Sequence, residues 1–89
     1  MTPEEEIVRA GRAREVLENE LFKEAVREIE TALLRGIQTS AFKDELLREK
    51  LCHRYSLLHD LVDQLKTYME TGQLGEATMA QKLRKVVGL

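Results

Sequence analysis

Five side chains able to bind a metal or act as nucleophile or base lie close together: Cys52, His53, His59, Asp60 and Asp63. Cys52 and His59 are seven apart and share a helix face, while His59 and Asp63 are four apart, a spacing that can hold one metal ion on a helix. The matches stop at pairs, since no Cys-x-x-Cys, His-Glu-x-x-His or second Glu-x-x-His appears. Cys52 therefore reads as a small core filler, His53 as a solvated side chain and His59 as the edge of a packing seam. No metal or other cofactor is expected. Acids at helical spacing from bases, such as Glu5–Arg9 and Asp44–Arg48, read as solvent-face pairs worth a few tenths of a kcal/mol. With no glycine-rich phosphate loop, no nucleophile elbow and no Ser/His/Asp arrangement, no enzymatic activity is expected.

Basic side chains offer a second chemistry. Arg9 and Arg12 share a face, with Arg14 nearby, and Lys82, Arg84 and Lys85 cluster late in the chain. Glu5 and Glu15 dilute the first group, and the formal net charge is −2, so no bulk positive field draws the chain to nucleic acid. Residues 75–89 carry the one basic excess, three bases against one acid, as suits the C-terminal end of a helix. Nucleic-acid contact through Arg9, Arg12, Lys82, Arg84 and Lys85 is the alternative reading, not the favoured one. A helix-turn-helix needs shorter helices at a larger angle than this sequence predicts.

The elements carrying these residues follow from composition. Over 89 residues, 34% are charged, 43% hydrophobic and 4% aromatic, with one proline, one cysteine and no tryptophan. That excludes a disulfide scaffold, a collagen-like chain and a low-complexity tail. It also argues against a β-sandwich or barrel, which needs turn residues and β-branched or aromatic runs. One small helical domain over residues 1–89 is expected. The acidic start has no apolar stretch behind it, and no apolar run approaches the ~18 residues of a membrane span. A cytoplasmic protein with a reduced thiol is the simplest expectation.

Thr2, Pro3 and Glu5 form a helix start with a capping box, and Glu4, Glu5 and Glu6 suit the positive end of the helix dipole. Ile7, Ala10, Leu17, Leu21, Ala25, Ile29, Ala32 and Leu33 then recur at three- and four-residue spacings. Gly36 reads as a C-terminal glycine in the left-handed conformation, which predicts a first helix over 3–35. Asn19 interrupts it, and the stripe shifts there. An unbroken helix is favoured over a kink or restart. Thr39 and Ser40 offer the next cap, and Leu47, Leu51, Tyr55, Leu58, Val62, Leu65 and Met69 form the stripe of a second helix over 41–71, closed by Gly72. After a turn at Gln73-Leu74-Gly75, Ala77, Ala80, Leu83 and Val87 predict a short third helix over 76–87. Two long helices and a short connection predict an antiparallel hairpin.

The hairpin carries more apolar surface than its own seam can cover: Val8, Phe22, Phe42, Leu46, Leu57 and Leu61 do not all fit on it. A homo-oligomer is therefore expected, most simply a dimer closing a four-helix bundle, with a ring as the alternative. Ile29, Leu51, Leu58, Leu61, Val62 and Leu65 are the candidate oligomer interface.

The run from Gly11 to Ala25 (GRAREVLENELFKEA), Thr39 opening a second helix, and Leu65 to Gly72 with its Met-Glu-Thr-Gly ending resemble a group of small all-helical phage and prophage proteins. Their genes lie among head-morphogenesis and DNA-packaging genes. The likeness covers about residues 10–80. It departs where such proteins carry a late aromatic in the first helix, here Leu33-Leu34-Arg35, and the chain is too short to add the DNA-binding domain of small packaging-motor subunits. The resemblance implies a non-enzymatic phage assembly protein that docks on a protein partner, in the host cytoplasm or the virion. It implies no active site.

Overall fold

The structure, a computed structural model, describes residues 1–86, with side chains as far as Arg84. Among the described residues it is all-α, as expected: α1 (Pro3–Glu18), α2 (Glu20–Thr39) and α3 (Glu45–Val86). The contacts group into a terminal unit, residues 1–17 with 64 onward, and a central unit, residues 18–63. No helix of the described residues is long and apolar enough to cross a membrane.

In the terminal unit, α1 starts as its sequence dictates. The Thr2 hydroxyl accepts from the Glu5 backbone N–H at 3.2 Å and donates to the Glu5 carboxylate at 3.1 Å. Glu4, Glu5 and Glu6 occupy the first turn, where acids meet the exposed N–H groups. The helix packs through its smallest side chains, Ala10 and Ala13, which are the buried hydrophobic core among the described residues. Opposite them stand the buried Gly72 and Gly75 of α3.

These glycines correct two expected boundaries. The helix expected over 41–71 and the one expected over 76–87 are parts of the single helix α3, which runs through Gly72 and Gly75 without a turn. None of Gly11, Gly36, Gly72 and Gly75 lies in the left-handed region. A Cβ on Gly72 would collide with the Cβ of Ala10, and one on Gly75 would come within 2.9 Å of the Pro3 carbonyl oxygen. The residues that read as helix stops let α1 and α3 approach closely instead. Each interior glycine costs about 1 kcal/mol of helix propensity, which this packing offsets. Of the stripe expected after Gly75, Ala77, Ala80 and Leu83 are exposed, and Val87 lies outside the described residues.

In the central unit, the helix expected over 3–35 is instead broken at Asn19. Its extended backbone (φ −67°, ψ 123°) ends α1, and its side-chain oxygen accepts from the Phe22 N–H at 2.9 Å, capping α2. Asparagine hydrogen-bonds neighbouring backbone more readily than it sits inside a helix, and the shift of the apolar stripe rewards the restart. The helix then continues through Gly36 to Thr39. At Gly36 an added Cβ would lie 3.0 Å from Leu51 Cδ1, so this glycine also marks close packing rather than a C-terminus.

The expected cap at Thr39 and Ser40 is corrected as well. Thr39 closes α2, with its hydroxyl donating to the Arg35 carbonyl, and Ser40 is the C-cap. Asp44 supplies the first backbone acceptor of α3, taking the Arg48 N–H at 3.1 Å. The Arg48 guanidinium reaches back across the turn to Ser40 Oγ at 3.0 Å and to the Ala41 and Phe42 carbonyls at 3.2 Å each. Contacts of Gly36 with Leu51 and of Glu30 with His59 set α2 antiparallel to residues 45–63. The half-buried Phe22, Val26, Leu33 and Ile37 of α2, with Leu51, Tyr55, Leu58 and Val62 of α3, form the hairpin's apolar stripe.

Candidate functional site

The histidine cluster takes shape at one edge of the central hairpin. The His59 ring lies 4.5 Å from the Tyr55 ring, tilted 45°, one helical turn apart on α3. Its buried Nε2 sits 3.2 Å from Glu30 Oε2 across the seam, oriented so that no hydrogen bond forms. Cys52, His53 and Asp60 are exposed; Cys52 is therefore not the core filler its size suggested. Among the described residues no three His, Cys, Asp or Glu side chains converge on a position that could hold a metal ion. Within the cluster His59 lies against Tyr55 and beside Glu30, and among the described residues no set of metal ligands is gathered. Glu30 was not visible as the partner of His59 because the pairing crosses between helices, beyond any local spacing.

The basic residues separate. Arg9 is half-buried, with its guanidinium carbon 4.2 Å from the centre of the Tyr68 ring and its Nε buried without a hydrogen-bond partner. This is a cation–π contact inside the terminal unit, which takes one face of Arg9 away from any external phosphate. Arg12, Lys82 and Arg84 are exposed. The side chain of Lys85 lies outside the described residues.

The opposite edge of the central hairpin is apolar and open. Ile29 and Leu33 of α2, with Arg54, Leu57, Leu58 and Leu61 of α3, line a groove of about 540 Å³. Leu57 is 68% exposed, Leu61 53% and Ile29 50%. The helical rotation of 100° per residue explains the two edges. Ile29 and Leu58 turn toward the groove, and their neighbours Glu30 and His59 turn away from it on both helices. The result is a hairpin with a polar edge at His59 and Glu30, both partly exposed, and an apolar, uncovered face.

Of the six residues expected at an oligomer interface, the structure brings Ile29, Leu58 and Leu61 together in this groove. Leu51 packs against Gly36 inside the hairpin. Val62 is half-buried, and Leu65, also half-buried, belongs to the terminal unit. Leu33, Arg54 and Leu57 complete the groove and were missing from the expected set, although Leu57 stood among the apolar surplus. No protein-family model matches the chain, and neither a curated protein nor a solved structure matches it.

Proposed function

We propose that the chain is a non-enzymatic assembly protein of phage type, a self-associating helical hairpin that docks on a protein partner during virion morphogenesis. The observation that carries this reading is the open groove of Ile29, Leu33, Leu57, Leu58 and Leu61 on the central unit. Uncovered apolar side chains gathered on one face mark an interaction surface. The phage setting comes from the sequence likeness, with the host cytoplasm or the virion as the place of action. Nucleic-acid binding is less well supported. Its strongest residue, Arg9, is engaged with Tyr68, and the net charge is −2.

Two measurements test this reading. Light scattering should give a mass above the 10.3 kDa of one chain, and a compact, stable monomer would overturn self-association. A gel-retardation assay with short DNA and RNA duplexes at low salt should show no shift. A shift that disappears steeply as salt rises would move the chain to the nucleic-acid class, because phosphate-driven binding has that signature. The phage setting predicts head-morphogenesis genes beside this one, and a neighbourhood of metabolic enzymes would contradict it.

A further inference from the structure

We infer that α1 is a releasable strap that keeps the last part of α3 helical: with α1 docked the helix runs to Val86, and with α1 released it ends at Gly72. The device lies within the terminal unit and is independent of the assembly reading.

The need for a strap lies in the sequence of α3. Gly72 and Gly75 stand inside the helix, one turn apart. Glycine is the poorest helix former after proline, because it has the most backbone freedom to lose. Beyond these two residues the helix finds little tertiary support. Among residues 76–84 Met79 alone is half-buried, and Ala77, Ala80 and Leu83 are exposed. Residues 76–86 are also fewer than the ~12–15 that hold a helix alone in water. Their helicity is inherited across Gly72 and Gly75.

α1 supplies support at those two positions. A Cβ on Gly72 would collide with the Cβ of Ala10 and lie 3.3 Å from the Glu6 carbonyl oxygen. One on Gly75 would lie 2.9 Å from the Pro3 carbonyl oxygen and 3.4 Å from Ile7 Cγ1. The residues that weaken α3 by themselves are thus the ones that admit the backbone of α1.

The contact is also a light one. α1 buries only Ala10 and Ala13, while its larger Val8 and Val16 stay exposed. Arg9 lies over the Tyr68 ring with its Nε buried and without a hydrogen-bond partner, a desolvation cost that opposes docking. Release leaves α2 its own start. Asn19 ends α1 with extended backbone and caps α2 through the Phe22 N–H, so that cap does not depend on α1. A unit with few buried apolar contacts opens ahead of the rest of a chain. Whatever draws α1 away therefore also ends α3 at Gly72.

Amide hydrogen exchange on the full chain tests this. In the wild type, amides of α1 and of residues 72–79 should open together, with one common denaturant dependence. Ala10→Asp forces a charge into the seam and should speed exchange of both groups at least about 100-fold. Amides of α2 and of residues 45–63 should keep their wild-type rates. Adding Gly72→Ala and Gly75→Ala to Ala10→Asp should then return protection to residues 72–79 while α1 stays open, because alanine restores the helix propensity that the strap had offset.

Four results would overturn the inference. Residues 72–79 that stay protected in Ala10→Asp while α1 opens need no strap. An α1 that stays protected in that variant is not held at Ala10. Residues 72–79 that remain open after both alanines are added show that the glycines are not the weak point. If Ala10→Asp does not fold, the wild-type exchange decides alone: a common opening supports the strap, and separate openings of α1 and residues 72–79 remove it.

Discussion

At the level of single residues, the glycines carry most of the instruction about packing. Gly11 is exposed with nothing within 4 Å of an added Cβ, whereas a Cβ added to Gly72 would collide with Ala10 Cβ and lie 3.6 Å from Ala10 Cα. The same substitution should therefore have opposite signs at the two positions. Gly11→Ala should raise stability by about 0.5–1 kcal/mol through helix propensity and a stiffer unfolded chain. Gly72→Ala should lower it by about 2 kcal/mol, since overpacking against a helix backbone outweighs the same propensity gain. Urea midpoints measure both. If steric contact with Ala10 is the cause, Ala10→Gly introduced into Gly72→Ala should recover part of the loss. A loss unchanged by that second substitution would assign the effect to something other than this contact. Glycine read from sequence alone signals a helix stop, because it permits the left-handed conformation and also lowers helix propensity. Only the presence of Ala10 on the facing helix decides that Gly72 is a contact, and that partner is more than sixty positions away in sequence.

At the level of elements, local chemistry was legible and pairing between elements was not. Thr2, Pro3 and Glu5 start α1 where the capping rules place the start, and the all-helical class follows from periodicity and composition. Asn19 is visible as a weak point where the stripe shifts, and an unbroken helix is the simpler expectation from the sequence. The cap to Phe22 and the change of packing partner show why the break prevails. Arg48 is the case the sequence hid. Its spacing to Asp44 suggests a surface ion pair, but its guanidinium ties together three acceptors of the turn at 3.0–3.2 Å. Hydrogen bonds from a charged group to otherwise loose turn carbonyls exceed an exposed ion pair in worth. Arg48→Ala should thus lower stability by about 1–2 kcal/mol. Arg48→Lys should restore little of it, because a single ammonium cannot span the fork that guanidinium presents. Thermal melts of the two variants at equal concentration test this, and full rescue by lysine would show that charge alone matters. For Asn19→Ala the expected cost is about 1 kcal/mol for the lost cap, read from the same melts.

At the level of the whole molecule, the two units differ in what is buried: the buried residues lie in the terminal unit, among those described, and α2 of the central unit has none. The terminal unit has its buried alanines and glycines in direct contact. The central unit leaves Leu21 74%, Leu57 68%, Leu61 53% and Ile29 50% exposed, and covering each would contribute on the order of 1–2 kcal/mol, the still-exposed share of a full burial. In the self-associating assembly proposed above, a covering chain adds to the protection of the central unit, whereas the seam of Ala10, Ala13, Gly72 and Gly75 protects part of the terminal unit without it. Amide hydrogen exchange separates these contributions, because local opening follows local contact density rather than helix content. In concentrated solution, amides of α2 and of residues 45–63 should exchange slowly. On dilution below the dissociation constant of the proposed assembly they should lose protection by the fraction of chain left uncovered, so that tenfold dilution in that regime produces a clear acceleration. Amides around Ala10, Ala13, Gly72 and Gly75 should change less over the same range. Uniform loss across both groups would show one cooperative block whose stability is shared. Protection in α2 independent of concentration would show that the exposed leucines need no second chain.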